Sequence, residues 1–134
     1  MDVAIDSVAP MLKAKDLQET IRFYTRDLGF TAVSVFGPEG APTWCSLRRD
    51  GVCLMFYSMD APKGPPTMTG VLYFYPTDVA AFWDQVKDKI PVEWDLRETD
   101  YGMLEFAIRD CNGYTLSFGQ DIGKASRRAP AAAD

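Results

Sequence analysis

No histidine occurs in these 134 residues. Imidazole is the side chain that titrates near neutrality and the commonest protein metal ligand, so its absence excludes a His-based triad, an imidazole general base and any His-containing zinc or iron site. Cysteine is scarce too: Cys45, Cys53 and Cys111 are odd in number and lack the close spacing of a metal knuckle, and reduced thiols are expected. Basic residues never cluster beyond Arg48-Arg49 or Arg127-Arg128, and the formal charge is −5. Phosphate binding needs a concentrated basic surface, so nucleic acid is not an expected partner. An acidic balance admits a cationic small molecule, although net acidity commonly serves solubility alone. No apolar run approaches the roughly 18 residues of a membrane span. The opening MDVAIDSV also lacks the basic and then apolar profile of a secretion signal, and a cytoplasmic protein without membrane contact is expected.

Against these absences stands 47% apolar composition, enough for an ordinary core in a single domain. Ser7 to Phe30, SVAPMLKAKDLQETIRFYTRDLGF, reads as a short strand followed by a capped helix. Asp16 is a good N-cap and Glu19 completes a capping box. Leu17, Ile21, Tyr24 and Leu28 recur at helical spacing, and Gly29 supplies the left-handed stop. Thr31 to Phe36 follows as a strand and Gly37 to Gly40 as a turn. Thr43–Arg49 and Val52–Tyr57 flank Asp50-Gly51, the strongest short hairpin signal. That turn pairs Arg49 with Val52, Leu47 with Leu54 and Ser46 with Met55, so Trp44, Met55 and Tyr57 share one face. It also puts Cys45 and Cys53 on opposite faces, which precludes a disulfide between them.

Pro62, Gly64, Pro65 and Pro66 make residues 59–68 a linker. The plan then repeats. Val71 to Tyr75 is a strand, Asp78 caps Val79, Phe82, Val86 and Ile90 at helical spacing, and Pro91 stops the run. Strands at Val92–Leu96, Leu104–Ile108 and Tyr114–Phe118 follow, the last two joined by a turn over Asp110–Gly113. Asp16 and Asp78 are 62 residues apart, as are Gly51 and Gly113, Leu54 and Leu116, and Phe56 and Phe118. A shared offset for two caps and two hairpins implies a duplication. The expected architecture is α+β: two paired βαβββ modules, about residues 7–58 and 69–120, in one domain spanning 1–134, with a frayed tail over 121–134. Helices would cover the outer sheet faces and leave a concave cup.

Three stretches carry a family resemblance: Ser7 to Phe30 with its FY-x₃-LGF ending, Gly70 to Val86, and Tyr101 to Phe118, YGMLEFAIRDCNGYTLSF. They resemble the vicinal oxygen chelate superfamily of glyoxalases, extradiol dioxygenases, fosfomycin-modifying enzymes and bleomycin resistance proteins, and the bleomycin resistance proteins most of all. The enzymes of that superfamily bind a divalent metal through inward-facing His and Glu side chains. Carried over position by position, the four ligand sites fall on Ala9, Met55, Val71 or Leu72, and Ser117. A methyl, a thioether, an alkyl group and one hydroxyl do not make a cation site, so no metal and no cofactor is expected. The resemblance then implies a homodimer that sequesters a small, planar, antibiotic-like ligand, neutral or cationic, in an aromatic cup. Pro10 matches a proline that accompanies arm exchange between protomers, although a proline on an edge strand needs no such reason.

The expected ligand-binding residues are Trp44, Met55, Tyr57, Tyr73, Tyr75, Tyr101, Phe106 and Ser117. Rings at alternating strand positions are also what sheets bury for stability alone. Trp83, beside Phe82, reads as packing. With a four-residue turn over Cys111–Tyr114, Phe106 is expected on the same face as Ser117, and Glu105 on the opposite face, paired with a lysine or arginine. A glyoxalase-type lyase or isomerase using Glu105 or Tyr101 in place of a metal is the alternative function. Asp110 and Asn112 read as turn formers, and Cys111 has no base to activate it.

Overall fold

The computed structural model describes residues 3–60 and 63–123. Pro62 of the expected linker and the tail beyond Gly123 lie outside them. The described residues form two compact units, one up to Thr67 together with 111–113, the other from Met68 to Asp110 and from Tyr114 to Gly123.

The first unit contains β1 (Met11–Lys13), α1 (Leu17–Arg22), β2 (Thr31–Phe36), β3 (Trp44–Arg49) and β4 (Val52–Tyr57). Asp16 caps α1 from an extended backbone and its Oδ1 accepts from the Glu19 amide at 3.0 Å. The helix does not continue regularly to Leu28 as its apolar spacing predicts. It widens to a π-type turn over Phe23–Asp27, where the Thr25 hydroxyl donates to the Ile21 carbonyl at 2.7 Å. Gly29, at φ +72°, ends the segment. The sheet order is β1-β4-β3-β2, with β1 parallel to β4 and the remaining pairs antiparallel. The register is the one that Asp50-Gly51 dictates: Arg49 opposite Val52, Ser46 opposite Met55, Trp44 opposite Tyr57. Cys45, Leu47, Leu54 and Phe56 are buried on one sheet face and Tyr24 packs on Phe56 at 5.0 Å. Burying such rings and branched side chains contributes about 1.5–3 kcal/mol each, which explains why α1 holds to this face.

The second unit repeats the plan with β5 (Leu72–Phe74), α2 (Val79–Val86), β6 (Val92–Glu98), β7 (Met103–Arg109) and β8 (Thr115–Asp121). Asp78 caps α2 by accepting from the Ala81 amide at 3.0 Å, as Asp16 does for α1. The order β5-β8-β7-β6 and its strand directions reproduce the first sheet, and Tyr73 opposite Ser117 matches Met11 opposite Met55 at the same 62-residue offset. The fold is therefore α+β with two βαβββ modules. Phe74, Phe82, Phe106 and Phe118 form the aromatic core under α2, with Phe106 stacked on Phe118 at 5.1 Å and Trp83 at 5.1 Å from Phe106.

The β7–β8 turn overturns one expectation. Cys111, Asn112 and Gly113 form a three-residue loop, with Gly113 at φ +87° and the Asp110 amide donating to the Tyr114 carbonyl at 2.9 Å. That loop sets Phe106 opposite Phe118 and Ala107 opposite Ser117. Phe106 therefore lies on the α2 face, fully buried, and not beside Ser117. A loop of three residues in place of the expected four shifts the pairing by one residue, and one residue reverses every facing. Asn112, 4% exposed, serves the first unit: it accepts from the Lys15 amide at 2.8 Å and donates to the Thr20 hydroxyl at 3.1 Å.

Candidate functional site

The same register that puts Phe106 under the helix turns Glu105 to the other sheet face, where Tyr73, Ala107, Ser117 and Gly119 also lie. Glu105 is only 2% exposed. An isolated carboxylate in such a position is costly unless its oxygens are satisfied. They are satisfied by aromatic donors. Tyr73 donates to Oε1 at 3.0 Å, Tyr101 donates to the same oxygen, and the Trp94 indole donates to Oε2 at 3.1 Å. The expected partner, a lysine or arginine, is absent: among the described residues Glu105 enters no ion pair. Its facing also differs from the expectation: Glu105 shares the face of Ser117 instead of lying opposite it, because the pairing of β7 with β8 is shifted by one residue.

Each ring is delivered by a separate element. Tyr73 comes from β5, and Tyr75, just beyond that strand, tilts against it with ring centroids 5.1 Å apart. Tyr101 comes from the β6–β7 turn. Trp94 comes from β6, through an irregularity that brings Trp94 opposite Ala107 and Arg97 opposite Glu105. Residues three apart in an unbroken strand face opposite ways; the extra residue of the bulge puts both on one face. The Arg97 guanidinium stands over the Trp94 ring, 5.4 Å from its centroid. Gly119 allows the close approach of Tyr73, since a Cβ there would collide with the Tyr73 hydroxyl.

The carboxylate fixes the charge state of its donors. Burial, and then the hydrogen bond to Glu105, push Tyr73 well above the ordinary phenol range. Tyr101 is raised first by its hydrogen bond to Glu105 and then by burial, with the Arg97 charge pulling weakly the other way. Both phenols hold their protons as donors and are poor acids at neutral pH. Tyr101 is 48% exposed and Tyr75 75% exposed, so the carboxylate is covered while the outer rings face solvent. The face is aromatic, with three of its rings anchored through one carboxylate.

Among the residues singled out from sequence, Tyr73, Tyr75 and Tyr101 gather here, and Ser117 lies on the same face with its hydroxyl 3.5 Å from the Phe106 carbonyl. Phe106 does not join them. Trp44, Met55 and Tyr57 share a face of the first unit's sheet, with Tyr57 buried and the other two half-buried. Trp94 and Arg97 carried no sequence signal, because a bulge disguises their common facing. The implied metal ligands do not fit a cation. Val71 falls on the Ser117 face and Leu72 on the other. Ala9, Met55, Val71 and Ser117 thus offer one buried hydroxyl between them, and the described residues contain no group of three Cys, Asp or Glu side chains able to hold a metal. No helix among the described residues is long and apolar enough to cross a membrane.

No curated protein matches this chain in sequence. Solved structures do match in fold. TioX from Micromonospora sp. ML1 is 16% identical, with a TM-score of 0.73 over 86% of this chain and 98% of that one. TnmS3, an antibiotic binding protein from Streptomyces sp. CB03234, is 19% identical, with a TM-score of 0.73 over 89% of this chain and 98% of that one. A glyoxalase/bleomycin resistance protein/dioxygenase from Nocardioides is 14% identical, with a TM-score of 0.70 over 96% of this chain and 92% of that one. The family model of the Glyoxalase/Bleomycin resistance protein/Dioxygenase superfamily matches residues 4–118, and the chain belongs to that superfamily.

Proposed function

We propose that this protein is a metal-free, cytoplasmic, homodimeric binder that sequesters a planar aromatic small molecule of antibiotic type. One observation carries the reading: Glu105 holds Tyr73, Tyr101 and Trp94 in fixed orientations on one open sheet face, with Tyr75 beside them. A planar ligand stacks on such rings at about 0.5–1.5 kcal/mol per pair beyond area burial. Rings already anchored also lose less conformational freedom on binding. The antibiotic-binding neighbour TnmS3 supports the ligand class. Trp44, Met55 and Tyr57 extend the proposed ligand set, with Ser117 as its polar member. The edge strand β2 leaves Val33, Val35 and Phe36 exposed, which supports burial against a second copy.

The alternative is a glyoxalase-type lyase or isomerase in which Glu105 or Tyr101 replaces the metal. A carboxylate beside two phenols is the observation in its favour. It is the weaker reading, because Glu105 is covered and both phenols are raised away from neutrality. Calorimetric titration with metal-loaded and metal-free bleomycin, beside a panel of aromatic antibiotics, tests binding. Saturable heat with a thermal shift is expected for at least one compound, and a flat response to all of them refutes the sequestration reading. Elemental analysis of the purified protein tests the metal-free assignment: stoichiometric nickel, zinc, iron or manganese would return the metalloenzyme reading.

A further inference from the structure

We infer that the Glu105 face selects planar cations, and that Arg97 is an intramolecular stand-in which such a ligand displaces from Trp94. The inference rests on the binder reading and names its ligand class: heteroaromatic iminium, amidinium or guanidinium compounds.

Two independent observations converge on it. Glu105 is a buried charge with no cationic partner among the described residues. Its three partners are neutral dipoles, so they satisfy its lone pairs and leave its charge uncancelled. A phenol or indole that donates to a carboxylate also gains electron density in its ring, which strengthens the attraction of that ring's face for a cation. The effect of the buried charge is thus felt at the exposed ring of Tyr101 and the half-buried ring of Trp94.

The second observation is that a cation already sits there. Arg97 lies opposite Glu105, its guanidinium rests over Trp94, and it enters no ion pair among the described residues. Guanidinium is planar, delocalised and weakly hydrated, and it stacks where such ligands would stack. Arg97 is exposed. A tethered guanidinium on Trp94 competes with a free planar cation for the same ring. If Arg97 instead served as an anchor for an anionic ligand, its removal would weaken binding of planar carboxylates, and that difference in sign separates the two roles.

The test uses N-methylacridinium, neutral acridine at mildly alkaline pH, and an acridine carboxylate, titrated against the full chain with tryptophan quenching and calorimetry. Wild type should bind the cation about tenfold more tightly than the neutral ring, the size of one desolvated cation–π contact. Glu105→Gln should abolish that preference, since it removes the charge while its amide oxygen can still accept from the Trp94 indole and its NH2 can donate to the phenol oxygens. Arg97→Gln should tighten the cation severalfold and acridine by less, since both must displace the guanidinium from Trp94 but only the cation is also repelled by its charge. Equal affinity for cation and neutral ring overturns the inference while the binder reading stands. Tighter binding of the carboxylate, lost in Arg97→Gln, does the same. Failure of all three probes to bind overturns the inference, and the antibiotic panel alone decides the binder reading. Should Glu105→Gln not fold, as judged by near-ultraviolet circular dichroism, wild type and Arg97→Gln still decide the matter.

Discussion

Phe106 is the sharpest place to test the register of the second sheet, because the two possible facings give opposite results. In the structure its ring is fully buried, 5.1 Å from Phe118, 5.1 Å from Trp83 and 6.0 Å from Phe82. Removing the ring altogether would cost about 3–5 kcal/mol, a large part of the roughly 5–15 kcal/mol that holds a domain folded. Phe106→Leu is the more informative change. It keeps most of the volume, so shape mismatch costs under about 1.5 kcal/mol, and the lost ring pairs add about 0.5–1.5 kcal/mol. A total near 2 kcal/mol should lower Tm by roughly 8 °C for a domain of this size. Urea unfolding followed by far-ultraviolet circular dichroism measures the loss, and titration with a planar probe measures binding on the same variant. Stability should fall while affinity stays within about threefold, under 1 kcal/mol. An unchanged Tm with a tenfold weaker complex would put Phe106 on the ligand face and refute the pairing of Phe106 with Phe118.

Two further outcomes follow from the geometry. Tyr73 and Tyr101 have folded pKa values above the unfolded one, so the folded state binds more protons at alkaline pH. Their contribution is fully present below the unfolded phenol pKa of about 10 and declines as pH rises above it. Absorbance titration near 295 nm should therefore show both tyrosines ionising late, with unfolding accelerating there, and simultaneous titration of all six tyrosines in the native protein would contradict the Glu105 contacts. Asn112→Ala removes the acceptor of the Lys15 amide and one donor to the Thr20 hydroxyl, which keeps its bond to the Asp16 carbonyl. A stability loss of about 1–3 kcal/mol is expected in chemical denaturation, and a loss below the error of that measurement would show that the turn is only a connector.

Much of this protein was legible in one dimension, because its local signals are strong and agree. Asp16 and Asp78 start both helices, Asp50-Gly51 sets the first hairpin to the residue, and the 62-residue offset recurs as Met11–Met55 and Tyr73–Ser117 pairing. Caps and two-residue turns act over three or four residues, so sequence alone determines them. Alternation determines facing only while a strand stays regular and its hairpin loop has a known length. The Cys111–Gly113 loop moved Phe106 to the helix face, and the β6 irregularity brought Trp94 and Arg97 to one side. Neither departs from ordinary composition, and each shifts facing by a single residue. The partners of Glu105 were likewise a tertiary decision. Carboxylate, phenols and indole come from β7, β5, the β6–β7 turn and β6, and only the assembled sheet removes water from that carboxylate and leaves aromatic hydroxyls and an indole N–H to replace it.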